Sequence, residues 1–222
     1  MKLSYPEWNK ALDFNEDTIW VVNIENPVFF SKVVDEINKQ QMTGIGRFVL
    51  SEGENILPLD KSTELIISPL LLDFENKKLQ NALIKHFVKV ANEEEYLESK
   101  RIATDISKYL YNLSDYIEVN VEIPEEIDTA QLIKAAGIKI AHDDDTVVNR
   151  FVDYLILQRD LLNASLIICV NIKKYFSVEE LKKIYSTMAL KKIPLLLFES
   201  GSQGVKIVGE NCLTIDEDLC EI

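Results

Sequence analysis

Residues 161–199 read LLNASLIICVNIKKYFSVEELKKIYSTMALKKIPLLLFE, and no other stretch limits the possible folds as tightly. SLIICVNI is an apolar run of strand length, and LLLF after Pro194 is a second. Between them, Ser177 followed three residues later by Glu180 is a capping box that opens the helix VEELKKIYSTMAL. A strand with one wet face alternates apolar and polar residues, whereas a strand apolar at every position is covered on both faces. Two such strands joined through a helix predict a parallel sheet sandwiched between layers, with a right-handed crossover.

The rest of the chain can be read around that unit. TIWVVNI is a predicted strand, and Pro27 suits the first turn of a helix through VFFSKVVDEINKQQ. Gly44 and Gly46 break the chain before two further β-rich runs, RFVLSE and ELIIS. From Asp73 to Leu113 there is neither Pro nor Gly, and Leu79, Leu83, Phe87 and Val90 recur at helical spacing. This predicts two long amphipathic helices with a break between Asn92 and Glu95, or one continuous rod. IEVNVEI alternates as a short strand or extended segment, and Asp128 is placed to cap a helix ending at Gly137. TVVNRFVDYLILQRDLLN is a predicted helix, capped by the acid run Asp143–Asp145 and stopping near Asn163. VKIVGE and CLTIDEDLCEI are expected to add edge strands. The expected organisation is an α/β domain from residues 1–70 plus 140–222, with residues 71–139 as a helical insertion.

Hydrophobic residues make up 47% of the 222, enough to bury a real core. No stretch of eighteen uncharged apolar residues occurs, and MKLSYPEWNKALDF has no apolar run behind Lys2, so neither secretion nor a membrane span is expected. Three cysteines without C-x-x-C spacing fit a reducing cytoplasm. A net charge of −13 argues, as a sum, against a polyanionic partner, but the charge is unevenly spread. Tyr109 to Ile133 carries six acids and no Lys or Arg, while Asn171 to Lys192 carries lysine pairs at 173/174, 182/183 and 191/192. Those pairs could contact phosphates or simply solvate a helix face.

Several chemistries lack their residues. A nucleotide hydrolase of this class needs a Gly-rich loop of the form G-x-x-x-x-G-K-[ST], because backbone N–H groups must close around the phosphates. GIG at 44–46 and GSQG at 201–204 lack the following Lys and read as turns. Asn171 stands after SLIICV, where a metal-holding acid would be expected. His86 and His142 sit in no zinc-binding pattern; His86 reads as structural, and His142 with the following aspartates as a helix cap or a divalent-cation site. In an extended segment Glu118, Asn120 and Glu122 share one side, with Glu125, Glu126 and Asp128 beyond Pro124. Such hard oxygens suit calcium, which tolerates irregular geometry; the alternative is a solvated acidic face.

LIKAAGIKI (132–140), DDTVVNRFVDYL, the 161–199 stretch quoted above and ISPLLLDFENKKL (67–79) together resemble the Csn-two group of CRISPR-associated proteins from type II-A systems. The resemblance implies an α/β head like a P-loop NTPase that lacks the phosphate loop, with an inserted α-helical leg. It implies a homotetrameric ring that threads double-stranded DNA, loads at ends without sequence specificity, catalyses nothing and supports spacer acquisition (adaptation) in antiviral defence. Integrase proteins and the RNA-guided effector nuclease of the same system are the further partners implied. The family's calcium segment corresponds to Glu118–Asp128, so Ca2+ is the implied ion. Lys134 and Lys139 match family positions, and Lys77, Lys78, Lys85 and Lys89 are hole-lining candidates by location. The competing expectation is a divalent-metal nuclease or a degenerate nucleotide hydrolase.

Overall fold

The computed structural model describes residues 1–141, 146–201 and 204–222. The chain divides into two compact units, Met1–Leu72 with His142–Ile222, and Asp73–Ala141. The first unit begins with β1 (Lys2–Ser4), β2 (Leu12–Asp13), β3 (Ile19–Ile24), α1 (Pro27–Thr43), β4 (Val49–Glu52), β5 (Asn55–Leu57), α2 (Leu59–Ser62) and β6 (Thr63–Ile66). The second holds α3 (Lys77–Glu93), α4 (Tyr96–Ser114) and α5 (Thr129–Ala135). The chain then returns to the first unit as α6 (Val147–Leu162), β7 (Leu166–Val170), a 3-10 turn (Ile172–Lys174), α7 (Val178–Leu190), β8 (Leu195–Ser200) and β9 (Glu210–Ile215).

Five parallel strands form the central sheet in the order β6-β7-β8-β3-β9. Numbered one to five along the chain, they lie in the order 2-3-4-1-5, one of the strand orders found among P-loop NTPases. The capping box is present at α7, with Ser177 Oγ accepting from Glu180 N–H and Ser177 N–H donating to the Glu180 carboxylate at 2.8 Å. As β7 and β8 predicted, both faces of the sheet are covered. Val22, Ile24, Ile168, Leu196, Phe198, Leu213 and Ile215 join a core with Phe29, Val33 and Ile37 of α1 and with the small antiparallel sheet β2-β1-β4-β5. Residues of opposite parity, among them Val21, Ile167, Cys169 and Leu197, are buried on the face where α7 lies, and Phe151 and Leu155 of α6 are fully buried beside it. Burial pushes the Cys169 thiol far above its ordinary range, so it packs as a small inert hydrophobe.

One contact ties α1 to the small sheet. The Gln40 side chain is buried; its amide donates to the Phe48 carbonyl at 2.8 Å and its Oε1 accepts the Phe48 N–H at 3.0 Å, replacing a strand partner. A Cβ on Gly46 would collide with that side chain, which explains the glycine. Gly44 at φ 72° supplies the left-handed stop of α1.

The structure corrects the sequence reading in four places. Residues 117–123 form no strand: the segment runs exposed and irregular because no neighbouring strand satisfies its backbone. Helix α6 is capped by Thr146, whose Oγ1 accepts from Asn149 N–H; Asp143–Asp145, like His142, lie outside the described residues. Of the tail, only residues 210–215 form a strand, and VKI is coil. The three predicted strands of the first seventy residues belong to two sheets: RFVLSE (β4) pairs in a small antiparallel sheet with β1, β2 and β5, for which no strand was expected, while TIWVVNI (β3) and ELIIS (β6) enter the parallel sheet. Among the described residues, no helix is long and apolar enough to cross a membrane.

Candidate nucleic-acid interface

The helical unit begins where Asn76 accepts the Leu79 N–H at 2.9 Å and starts α3. The break between the two long helices falls at Glu94 and Glu95, and Ser99 Oγ donates to the Ala91 carbonyl at 2.8 Å across it. Helix α3 packs against both α4 and α5. Leu79 is fully buried and marks the inward face of α3. Lys78, Lys85 and Lys89 lie seven and four residues apart, so at roughly 100° per residue they fall within about 40° of one another, about 80–120° around the helix from Leu79. All three are exposed. Lys89 stands 3.8 Å from Glu93, a solvent-screened pair that holds it weakly, and Lys78 and Lys85 make no ion pair among the described residues. Three ammonium groups on one helix ridge form a track suited to a phosphate backbone.

The other lysine candidates do not join this track. Lys77 is exposed but points about 100° away around the helix. Lys134 is exposed in the last turn of α5, where it complements the helix dipole, and Lys139 is exposed in the coil beyond Gly137.

Helix α4 contains no buried residue. Its apolar stripe of Ile102, Ile106, Tyr109 and Leu113 has helical spacing, and Tyr109 remains 60% exposed. A groove of about 450 Å³ between α3, α4 and α5 is lined by Phe87, Val90, Ile102, Leu132 and Ile133. His86 lies at its rim and is exposed, so the structural role expected of it is not supported by burial.

The structure does not bring the expected calcium ligands together. Glu118, Asn120, Glu122, Glu125, Glu126 and Asp128 are all exposed along an irregular coil. Asp128 accepts the Ala130 N–H at 2.9 Å as the cap of α5, and Glu126 pairs with Lys100 at 3.3 Å. Among the described residues, no three His, Cys, Asp or Glu side chains are grouped to hold a metal. Calcium needs six to eight converging oxygens, so the segment as folded does not fit the ion.

The head unit shows what stands where a phosphate loop would be. Only Glu25 and Asn26 separate β3 from α1. Asn26 Oδ1 accepts the Val28 and Phe29 N–H groups, both at 3.0 Å, and Pro27 has no N–H to offer. The amides that would cradle a phosphate are therefore already satisfied by a side chain. At the end of β7, Asn171 adopts φ 54°, and its Oδ1 accepts from Ser200 N–H at 2.8 Å and Ser200 Oγ at 2.9 Å. It stitches two strand ends together instead of holding a metal. The lysine pairs of this unit are largely committed as well. Lys173 Nζ lies 2.9 Å from Glu210, Lys174 Nζ donates to Ser200 Oγ, Lys183 Nζ to Asn149 Oδ1, and Lys192 pairs with Glu16.

A sheet in P-loop NTPase order whose helix start is closed by an asparagine, interrupted in sequence by a helical unit with a basic ridge, defines a class: a P-loop-like α/β protein without the phosphate loop. The family model described as CRISPR-associated protein (Cas_Csn2) matches residues 40–219, and the chain belongs to that family. A solved Pyrococcus furiosus protein described as an ABC transporter, ATP-binding, is similar at 11% identity and a TM-score of 0.40, covering 96% of this chain and 97% of its own.

Proposed function

We propose that this CRISPR-associated protein binds double-stranded DNA, at ends and without sequence preference, as a self-assembled ring that supports spacer acquisition and carries out no bond chemistry. The observation that carries this reading is the exposed ridge Lys78–Lys85–Lys89 on α3, a local basic track on a chain of net charge −13. Phosphate contacts of this kind give affinity without reading bases, and they weaken steeply with salt. The partly exposed apolar stripe of α4 supports self-association, with a second copy as its natural cover and a homotetramer as the closed form. The Asn26-capped helix start supports a role without nucleotide hydrolysis. Among the described residues the acidic segment gathers no three His, Cys, Asp or Glu side chains, so no step here is routed through the ion.

The test is a mobility-shift titration of linear and covalently closed circular duplexes of equal sequence. A ring loading at ends retains the linear form at salt concentrations where the circle is released. Equal retention of both forms contradicts end loading. Release of nucleotides from linear DNA, or of phosphate from ATP with Mg2+, would replace the binding reading with an enzymatic one.

A further inference from the structure

Glu199 of β8 and Asn23 of β3 are register partners on neighbouring parallel strands, and Thr214 of β9 is the next partner in the same row. All three are buried, at 5%, 4% and 5% exposure, on the sheet face that carries α7. Elsewhere on that face the strands bury Val21, Ile167, Cys169, Leu195 and Leu197. A row of polar groups here costs stability unless the groups are paired. They are only partly paired. One Glu199 oxygen accepts the Lys173 N–H at 3.0 Å; the other oxygen and the Asn23 side-chain amide make no hydrogen bond among the described residues.

Both groups open into a cavity of about 240 Å³ at the carboxyl end of the sheet, the side on which open α/β sheets bind ligands. Phe176, Leu181 and Ile207 supply apolar wall, and Lys174 stands at an exposed edge. The volume equals the liquid share of roughly eight waters, room for a flat one- or two-ring molecule. Lys173 is paired with Glu210, which leaves Lys174 to balance the Glu199 carboxylate, so the cavity carries no net charge to recruit a charged guest. A neutral heterocycle fits better: adjacent N–H donors for the free Glu199 oxygen, and a donor–acceptor edge for the Asn23 amide. We propose that this cavity binds a neutral nucleobase-like heterocycle of the guanine type, with Glu199 and Asn23 reading its polar edge. The site belongs to the first unit and does not rest on the duplex-binding reading.

The groups facing Glu199 are Lys173 and Lys174 from the turn after β7, Cys169 of β7, Glu210 of β9 and Tyr185 of α7. Burial, the dominant cause, lifts the Glu199 carboxyl to about 7 against the opposing pull of the Lys173 N–H and the two ammonium groups. A ligand that donates to Glu199 requires the ionised form. Its affinity therefore falls about tenfold per pH unit below that value and is flat above it.

The test is calorimetric titration of the full-length protein with guanosine and, separately, with adenosine, which lacks adjacent N–H donors for a carboxylate. Saturable guanosine binding is expected, with adenosine at least tenfold weaker. Glu199→Gln is isosteric and removes a buried charge, so the fold is retained; it is expected to weaken guanosine at least tenfold and abolish the pH dependence. Asn23→Ala is expected to weaken binding at least tenfold as well, with circular dichroism confirming an intact fold. Failure of guanosine to saturate the wild-type protein overturns the proposal, as does guanosine affinity unchanged in both variants.

Discussion

The two units of this chain solve the burial problem differently. In the α/β unit, strands β7 and β8 are buried on both faces, Phe151 and Phe198 are wholly enclosed, and even polar Gln40 sits inside with its amide matched to Phe48. In the helical unit, Phe74 and Leu79 are the buried hydrophobic residues among those described, and α4 and α5 bury none. Leu97 at 82% exposure and Tyr116 at 86% stand open to solvent. An α/β sandwich can satisfy itself within one chain because helices close both faces of its sheet. Two amphipathic helices and a short third leave a stripe partly uncovered, the surface proposed above for self-association.

The contrast is broken most sharply by large-to-small substitution. Phe198→Ala opens a void in the enclosed core and is expected to cost about 3–5 kcal/mol. Ile106→Ala, on the half-buried stripe of α4, is expected to cost under ~1 kcal/mol in the dissociated protein and to weaken self-association instead. Urea unfolding and sedimentation of the two variants separate these effects. Equal destabilisation would mean that the helical unit is as well packed as the head.

A smaller effect tests whether the polar row strains the head alone. The Glu199 carboxyl titrates near 7 in the folded protein, above its ordinary value of 4.5, so the folded state binds the proton more tightly than the unfolded chain. Stability is then full below about pH 4.5 and declines as pH rises through about 7. Glu199→Gln is expected to remove a decline on the order of 3 kcal/mol, seen as slower amide exchange in β3 and β8 at pH 8, with α3 and α4 unaffected. A variant no more stable than wild type at pH 8 would contradict the assignment.

The smallest expected effect lies in the acidic segment. Because no three carboxylates of Glu118 to Asp128 are grouped, millimolar calcium is expected to shift the melting temperature of the dissociated protein by less than about 1 °C. A larger calcium-dependent rise would require these carboxylates to gather, correcting the picture of an open coil.

These differences also explain what could be read from residues alone. The Ser177/Glu180 box, Pro27 at a helix start and the unbroken apolar runs of β7 and β8 act through local physics, so the parallel sheet and its crossover were visible. The pairing partners of β1, β4 and β5 were not, because strand pairing depends on contacts far apart in sequence. IEVNVEI has the alternation of a strand but no neighbour to pair with. The lysine track could be located on α3, and helical spacing alone separates Lys77 from Lys78, Lys85 and Lys89; that all three of the latter stand exposed required the fold. Asn26 carries a local signal beyond that of Pro27, since Asn directly before a helix-opening Pro is a recognisable cap. The Glu199–Asn23–Thr214 row had no local signal, since its members meet only across strands.

The central claim is that the helical unit grips duplex backbone through one ridge of α3. Its most direct test is the salt dependence of duplex binding for Lys78→Glu/Lys85→Glu/Lys89→Glu beside wild type. The account predicts affinity lower by about a hundredfold at moderate salt and a log–log slope shallower by roughly two to three per engaged protomer, with an unchanged unfolding midpoint for the head. A triple variant that binds duplex with wild-type affinity and wild-type slope would contradict it.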